Sequence, residues 1–190
     1  MLFRSSDKVS DILDRHASEF NGYVEHVSCD EAYMEIFVPL YENKIPNAVV
    51  TEVAEAIRKE ILSMTQCTAS VGVATNKFLA KLATDHVKPN RSFVMDDYRK
   101  ILKPVKLRDL YGIGYKMGQK LENEGLFSVQ DIWDLGDIAE TELCKILGVG
   151  LGKKIHGYCN GRDDREIQAS ERKTIGAEVR ILAIVRSVYK

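Results

Sequence analysis

The sequence predicts an α+β fold: an antiparallel sheet with helices on one face, followed by a small all-helical part. Three observations carry this. Residues 1–97 alternate apolar stripes at helical spacing with short β-branched and aromatic runs. Residues 98–163 hold only short helical stretches punctuated by glycine, with Trp133 placed to anchor a small core. Residues 161–173 are polar and charged, with little periodicity, and read as a linker.

Each element has its own signal. Val9, Ile12, Leu13, Ala17 and Phe20 fall on one face of a helix from Ser6 to Phe20. Tyr23 to Val27 and Ala32 to Val38 read as strands, and the few residues between them predict a tight hairpin. Pro46 suits a first helical turn, and Val49, Val53, Ala56, Ile57 and Ile61 carry a stripe to about Met64. Cys67 to Ala74 is the next strand. Asn76 can cap a helix through about His86, which Pro89-Asn90 stops. A short strand near Ser92 to Met95 closes the sheet, and the order of elements places its helices in one layer. Beyond it, Leu110-Tyr111-Gly112-Ile113-Gly114 and Ile146-Leu147-Gly148-Val149-Gly150 repeat at an offset of 36 residues, which suggests two similar helix-turn-helix hairpins.

Composition excludes several classes. No run approaches the roughly 20 apolar residues of a membrane span, and Met1 to Lys8 lacks the basic start and apolar centre of a secretory leader. Cys29, Cys67, Cys144 and Cys159 form no C-x-x-C pair, so neither a zinc knuckle nor a disulfide framework is signalled. Reduced thiols inside a cell are the expectation. Net charge is only −1, yet it is unevenly placed. Residues 1–75 carry 6 basic and 12 acidic side chains, and residues 76–108 carry 9 and 3. This is either a solvated basic face after an acidic one, or a polyanion path beside an acidic floor.

Three motifs could carry chemistry. Asp30 and Glu31 sit where the two hairpin strands meet; in a regular strand they would face opposite ways, and only a turn or bulge lets both reach one site. They are solvated turn acids or metal ligands. Gly112, Ile113, Gly114, Tyr115, Lys116 and Met117 form a glycine turn opening a helix, where exposed amides and the helix dipole favour a phosphate. A C-cap glycine followed by a packing glycine is the plainer reading of such a turn, at Gly148 to Gly152 especially. Lys77, Lys81 and Lys88 place positive charge on and after the Asn76 helix, either as a solubilising face or, at Lys88, as a point charge for a triphosphate. His26 reads as a structural histidine. No Ser-His-Asp set or P-loop is visible.

Taken in order, Ser28-Cys29-Asp30-Glu31-Ala32 before a strand, Ser70 to Lys77, Leu79 to Ala83, Lys88-Pro89-Asn90 and Leu110 to Gly114 resemble the Y-family, or translesion, DNA polymerases over nearly the whole chain. Cys29 within its motif and Arg172 to Glu178 are most similar to the deoxycytidyl transferase branch; Gly112 to Lys116 and Asn76 to Lys81 are similar also to the iota branch. The resemblance implies a partial ferredoxin-like palm over residues 1–97, a helix-hairpin-helix thumb over 98–163, and a linker with a truncated start of the little finger over 164–190. It implies nucleotidyl transfer in DNA repair, with Asp30 and Glu31 as catalytic ligands of Mg²⁺ and Lys88 on the incoming deoxynucleoside triphosphate. Ser28, Gly112 to Met117, Arg172 and Lys173 would contact primer-template DNA, and other replication or repair proteins would be partners. It further implies a nuclear location in a eukaryote, or a cytoplasmic one otherwise.

The family pattern also has a first catalytic strand with its own carboxylate, and fingers, ahead of the Ser6 helix. The expectation is therefore a fragment that does not extend a primer alone and whose sheet has an unpaired edge. A DNA-binding module without catalysis, and a small α+β interaction domain with solvated hairpin acids, are the competing readings.

Overall fold

The computed structural model describes residues 2–28, 30–39, 46–168 and 178–187. It divides into two compact units, one of residues 1–96 with 165–190 and one of residues 97–164.

The first unit is built on a five-stranded sheet. Helix α1 (Leu2–Glu19) leads into strands β1 (Val24–His26) and β2 (Glu31–Val38), then α2 (Asn47–Thr65), β3 (Thr68–Ala74), α3 (Lys77–Val87) and β4 (Ser92–Val94). Strand β5 (Glu178–Ser187) completes it, in the spatial order β1-β2-β5-β3-β4. These helices begin and end near the expected places because the local signals are strong. Asn76 caps α3 by accepting a hydrogen bond from the Leu79 amide at 2.9 Å.

The alternation of strand side chains decides which helix covers which face. Ala32, Met34, Ile36 and Val38 of β2 and Val71 and Val73 of β3 are buried in one core with Val9, Ile12 and Leu13 of α1 and Val50, Ile57 and Ile61 of α2. Gly72, between Val71 and Val73, faces the other way, against α3. A Cβ there would lie 2.2 Å from the Thr84 nitrogen and 2.5 Å from the Ala80 carbonyl oxygen, so only glycine permits the approach. The sheet therefore carries helices on both faces, where the sequence order suggested one.

Residues 178–187, past the polar stretch read as a linker, belong to the sheet of the first unit. They form the central strand, parallel to both neighbours, with Glu31–Val38 of β2 in register with Arg180–Ser187 and Thr68–Ala74 of β3 in register with Glu178–Ile184. The reason is apolar content: Ile181, Leu182 and Ala183 are all buried, as a strand covered on both faces requires. The sheet is consequently mixed rather than antiparallel, only β1 and β2 pairing in opposite directions. No edge is left open between β2 and β3. The polar connection leading there is tied down at Gln168, whose amide donates to Glu25 Oε2 at 2.6 Å.

The second unit is all helical apart from one bridge between Lys106 and Ser128. It contains α4 (Tyr98–Leu102), α5 (Tyr115–Asn123), α6 (Val129–Asp134), α7 (Ala139–Leu147) and α8 (Val149–Cys159). Trp133 anchors it as expected, its indole donating to the Cys159 carbonyl at 2.8 Å beneath the Arg99 guanidinium, 5.6 Å away. Asp131 closes a capping box on α6, accepting from the Phe127 and Ser128 amides at 2.9 and 2.7 Å.

Two predictions follow from these contacts. Truncation after Ala177 removes the central strand; amide exchange should then lose its protection in β2 and β3 and the first unit should stop melting cooperatively, whereas a mere linker would leave both unchanged. For Asp131, the amides of Ser128 and then Phe127 hold the carboxyl below its ordinary value. Its contribution is thus present above the unfolded carboxylate pKa and fades as pH falls through the lower folded one. Asp131→Asn should cost about 1 kcal/mol at neutral pH, as loss of a cap does, and less in acid, read from melts at both.

Candidate functional site

Acid and base converge at the closed end of the β1–β2 hairpin. Ala32 follows Glu31 into the core, so Glu31, Tyr33 and Glu35 project to the opposite face of the sheet, where α3 lies. There Glu31 Oε1 meets Lys81 Nζ at 2.6 Å. Glu25, opposite Tyr33 in the β1–β2 register, meets Lys77 Nζ at 2.6 Å, and that ammonium stands 5.3 Å from the centre of the Tyr33 ring. Both lysines come from one face of α3, four residues apart. Lys77 is 5% exposed, and a buried ammonium needs such a partner.

Asp30 sits in the turn, accepting a hydrogen bond from Ser28 Oγ at 2.8 Å. Residues of the turn, Ser28, Asp30 and Glu31, line a shallow hollow together with His26, Ala32, Val9 and Leu13, while the Glu31 carboxylate itself meets Lys81 on the α3 face. His26 is buried beside it, in keeping with a structural role. Among the described residues no cluster of three or more His, Cys, Asp or Glu side chains is positioned to hold a metal ion. Cys29 lies outside the described residues.

Lys88 ends α3 and pairs with Asp85 Oδ1 at 2.7 Å; the other oxygen of Asp85 is 3.9 Å from Lys81. The backbone just beyond it is fixed from two sides. The Asn90 amide donates to Ser70 Oγ at 2.9 Å, and the Asn90 side-chain oxygen accepts from Arg58 at 2.8 Å. Arg58 in turn spans both oxygens of Glu55 at 2.8 Å and the Ala69 carbonyl at 3.0 Å. Glu55 is held below the ordinary carboxylate range, first by the Ser92 hydroxyl and then by Arg58, against the effect of burial. Lys88 itself remains partly exposed.

In the second unit, Gly112 takes φ +94°, a conformation that L side chains rarely adopt, and this turns the chain into α5. The Ile113 amide donates back to Leu110 at 2.9 Å and Met117 donates to Gly114 at 3.0 Å. That leaves the amides of Gly114, Tyr115 and Lys116 without a backbone acceptor among the described residues, at a helix start with no side-chain cap. The run expected to present amides, Ile113 to Met117, is thereby narrowed at both ends. The repeat at Gly148 differs in kind. Gly148 ends α7, its amide donating to Cys144 at 2.9 Å, and a Cβ on Gly152 would lie 2.5 Å from the Cys144 Cα. This is the cap and packing glycine of the plainer reading. Lys154 stands 5.7 Å from the Tyr111 ring centre and so links the two turns. Arg172 and Lys173 lie outside the described residues.

Lys81 and Asp85 were not singled out by sequence as site residues. The spacings from Lys81 to Asp85, at i, i+4, and from Asp85 to Lys88, at i, i+3, were visible, but nothing local connects Lys81 to Glu31, 50 residues away.

Comparison with known proteins accords with this arrangement. Residues 3–85 match the model of the impB/mucB/samB family, and residues 108–163 match that of the DNA polymerase-iota thumb domain. The chain is 34% identical over 184 residues to the DNA repair protein Rev1 of Drosophila melanogaster, an alignment covering 93% of this chain and 18% of that protein. It is 36% identical over 163 residues to DNA polymerase IV of Exiguobacterium sibiricum, covering 84% of this chain and 43% of the relative. Two crystal structures from Sulfolobus solfataricus share the fold: a DinB family error-prone DNA polymerase (TM-score 0.66, 25% identity, 87% of this chain and 47% of that one) and DinB (TM-score 0.69, 27% identity, 88% and 47%). The first unit is thus similar to the impB/mucB/samB family and the second to a DNA polymerase thumb, and the chain as a whole resembles Y-family DNA polymerases. It spans less than half the length of each of these relatives.

Proposed function

We propose that this chain supplies palm and thumb residues to a template-directed DNA polymerase that bypasses damage, transferring a deoxynucleotide from its triphosphate to a primer end. Transfer of dCMP is the finer reading, supported by the likeness to Rev1 and by the motif around Cys29. The observation that carries the proposal is the hairpin end, where Asp30, held by the Ser28 hydroxyl, is followed directly by Glu31, whose carboxylate meets Lys81 of α3, with Lys88 further along the same helix.

The donors fit Mg²⁺ in kind, since they are hard oxygens of the sort it prefers. When bound, Mg²⁺ would supply Lewis-acid stabilisation of the phosphoryl oxygens and a more nucleophilic primer hydroxyl. Asp30 and Glu31 would hold it. Lys88, on a rigid loop, would set a positive charge against the triphosphate. Ser28 would border the primer terminus. The amides of Gly114, Tyr115 and Lys116 would take a backbone phosphate without reading a base, and the Lys116 ammonium would add attraction over distance. Such a protein works where DNA is, in the nucleus of a eukaryote or the cytoplasm of a prokaryote, alongside other replication or repair proteins.

One observation favours a second reading, a DNA-binding module without catalysis. The glycine turn at Gly112 to Lys116, with its uncapped helix start, lies wholly within its own unit, while Glu31 is already neutralised by Lys81.

Two binding measurements on the whole chain separate these readings. Fluorescence anisotropy with labelled primer-template DNA should show affinity falling steeply with salt, and Lys116→Glu should weaken it and lower the salt slope by about one. Mn²⁺, added as a paramagnetic substitute for Mg²⁺, should broaden the amide signals of residues 30–32 in the wild type and not in Asp30→Asn/Glu31→Gln. DNA binding without that broadening supports the module. Neither effect would sink both.

A further inference from the structure

We infer that Lys81 and Asp85 form an exchange ladder that couples occupancy of the hairpin acids to release of Lys88, which rests on reading Asp30 and Glu31 as a cation site and Lys88 as a triphosphate contact. Four side chains of alternating charge stand in line along one face of α3. Glu31 meets Lys81 at 2.6 Å, Lys81 is 3.9 Å from one oxygen of Asp85, and the other oxygen of Asp85 meets Lys88 at 2.7 Å. Every cation in this row has two neighbours to choose from or is held by one that does.

The spacing makes the row asymmetric. Lys81 has its short contact with Glu31 and its long one with Asp85. A divalent cation on Glu31 removes the reason for that preference, because two positive charges then compete for one carboxylate. Lys81 has somewhere to go. Asp85 is already within ion-pair range, one turn along the same helix, so a change of side-chain rotamer suffices. Once Lys81 closes on Asp85, that carboxylate is shared, and its hold on Lys88 weakens. Lys88 then turns to solvent and to a polyphosphate. The side chains of Lys81 and Glu31 are 21% and 14% exposed, so solvent screens their exchange only partly, while Asp85 and Lys88, at 39% and 37%, are free to move.

Lys81 and Asp85 are positioning residues in this scheme, touching neither nucleotide nor primer. Lys77 does not take part, because its partner is Glu25 and it is almost fully buried. The consequence is an order of events in which Lys88 is withheld from phosphate until the acids are occupied.

Lysine side-chain NMR on the full chain, with no DNA or nucleotide present, reads this directly. In the wild type, Mg²⁺ should move the Lys88 Cε–Nζ signals toward the position they occupy in Asp85→Asn, where Lys88 is released from the start. In Lys81→Met the Lys88 signals should ignore Mg²⁺, and in Asp85→Asn likewise; the second variant, at a half-exposed site, keeps the test available should the first fail to fold. Lys88 signals that stay fixed in the wild type, or that move equally with and without Lys81, overturn the ladder. Mn²⁺ broadening at residues 30–32 tells which idea has failed: broadening with an unmoved Lys88 removes the ladder alone, and no broadening removes the cation site and the ladder with it.

Discussion

Backbone hydrogen bonding through β5 is the constraint on which the first unit depends. Without it, β1 and β2 make one pair and β3 and β4 another, with no ladder between them. Each of β2 and β3 would then present a full row of unmet amides and carbonyls beneath helices, where water cannot serve them. Eight residue pairs join β5 to β2 and seven join it to β3, so both rows are met by one strand. The apolar run from Ile181 to Val185 suits a strand covered on both faces, and the burial of Ile181, Leu182 and Ala183 shows that its middle is so covered.

The same strand sets the geometry of the site. Glu31 of β2 and Ser70 of β3 share one Cα partner on β5, Arg180, and therefore stand level across the sheet. Ser70 accepts from the Asn90 amide, two residues beyond Lys88. The hairpin acids and the Lys88 loop are thus held at the same end of the sheet by backbone register, before any side chain is considered. Gly72 then lets α3 lie close enough for Lys77 and Lys81 to reach Glu25 and Glu31. A methyl group at that one position would push the helix away, and the charge row with it.

What could be read from sequence was what local chemistry decides. The Asn76 cap, the tight hairpin, the glycine turn before α5 and the apolar face of α1 each depend on residues within a few positions of one another, and each stands where it was expected; the buried face of α2 is turned from the expected stripe, with Val50, Ala54, Ile57 and Ile61 inside and Val49 exposed. Strand β5 was missed because a polar approach from Gly161 to Lys173 masked the apolar run after it, and because a strand's partners lie far off in sequence. Its parallel direction was equally hidden: nothing in ten residues says which neighbours they will join. That Asp30 and Glu31 fall where the hairpin turns was legible from the short gap between the two strand signals. The partner of Glu31 was not, since a pair separated by 50 residues needs the fold to bring it together.

Charge placement along α3 answers a question that composition raised. A basic block following an acidic one was compatible with a solvated face, and Lys100 and Lys103 are of that kind. Lys77 and Lys81 are different, because each neutralises a glutamate on the sheet beneath it and neither is well exposed. Solvation alone would have left them in water, where a lysine loses nothing. Drawing an ammonium down onto a sheet costs desolvation and side-chain freedom, and the carboxylate it meets offsets that cost only while it stays ionised and close. An arrangement so dependent on one partner is easily shifted when a stronger cation competes for that partner. On the proposed reading, the pairing with Lys81 keeps Glu31 neutralised and ordered until a cation competes for it.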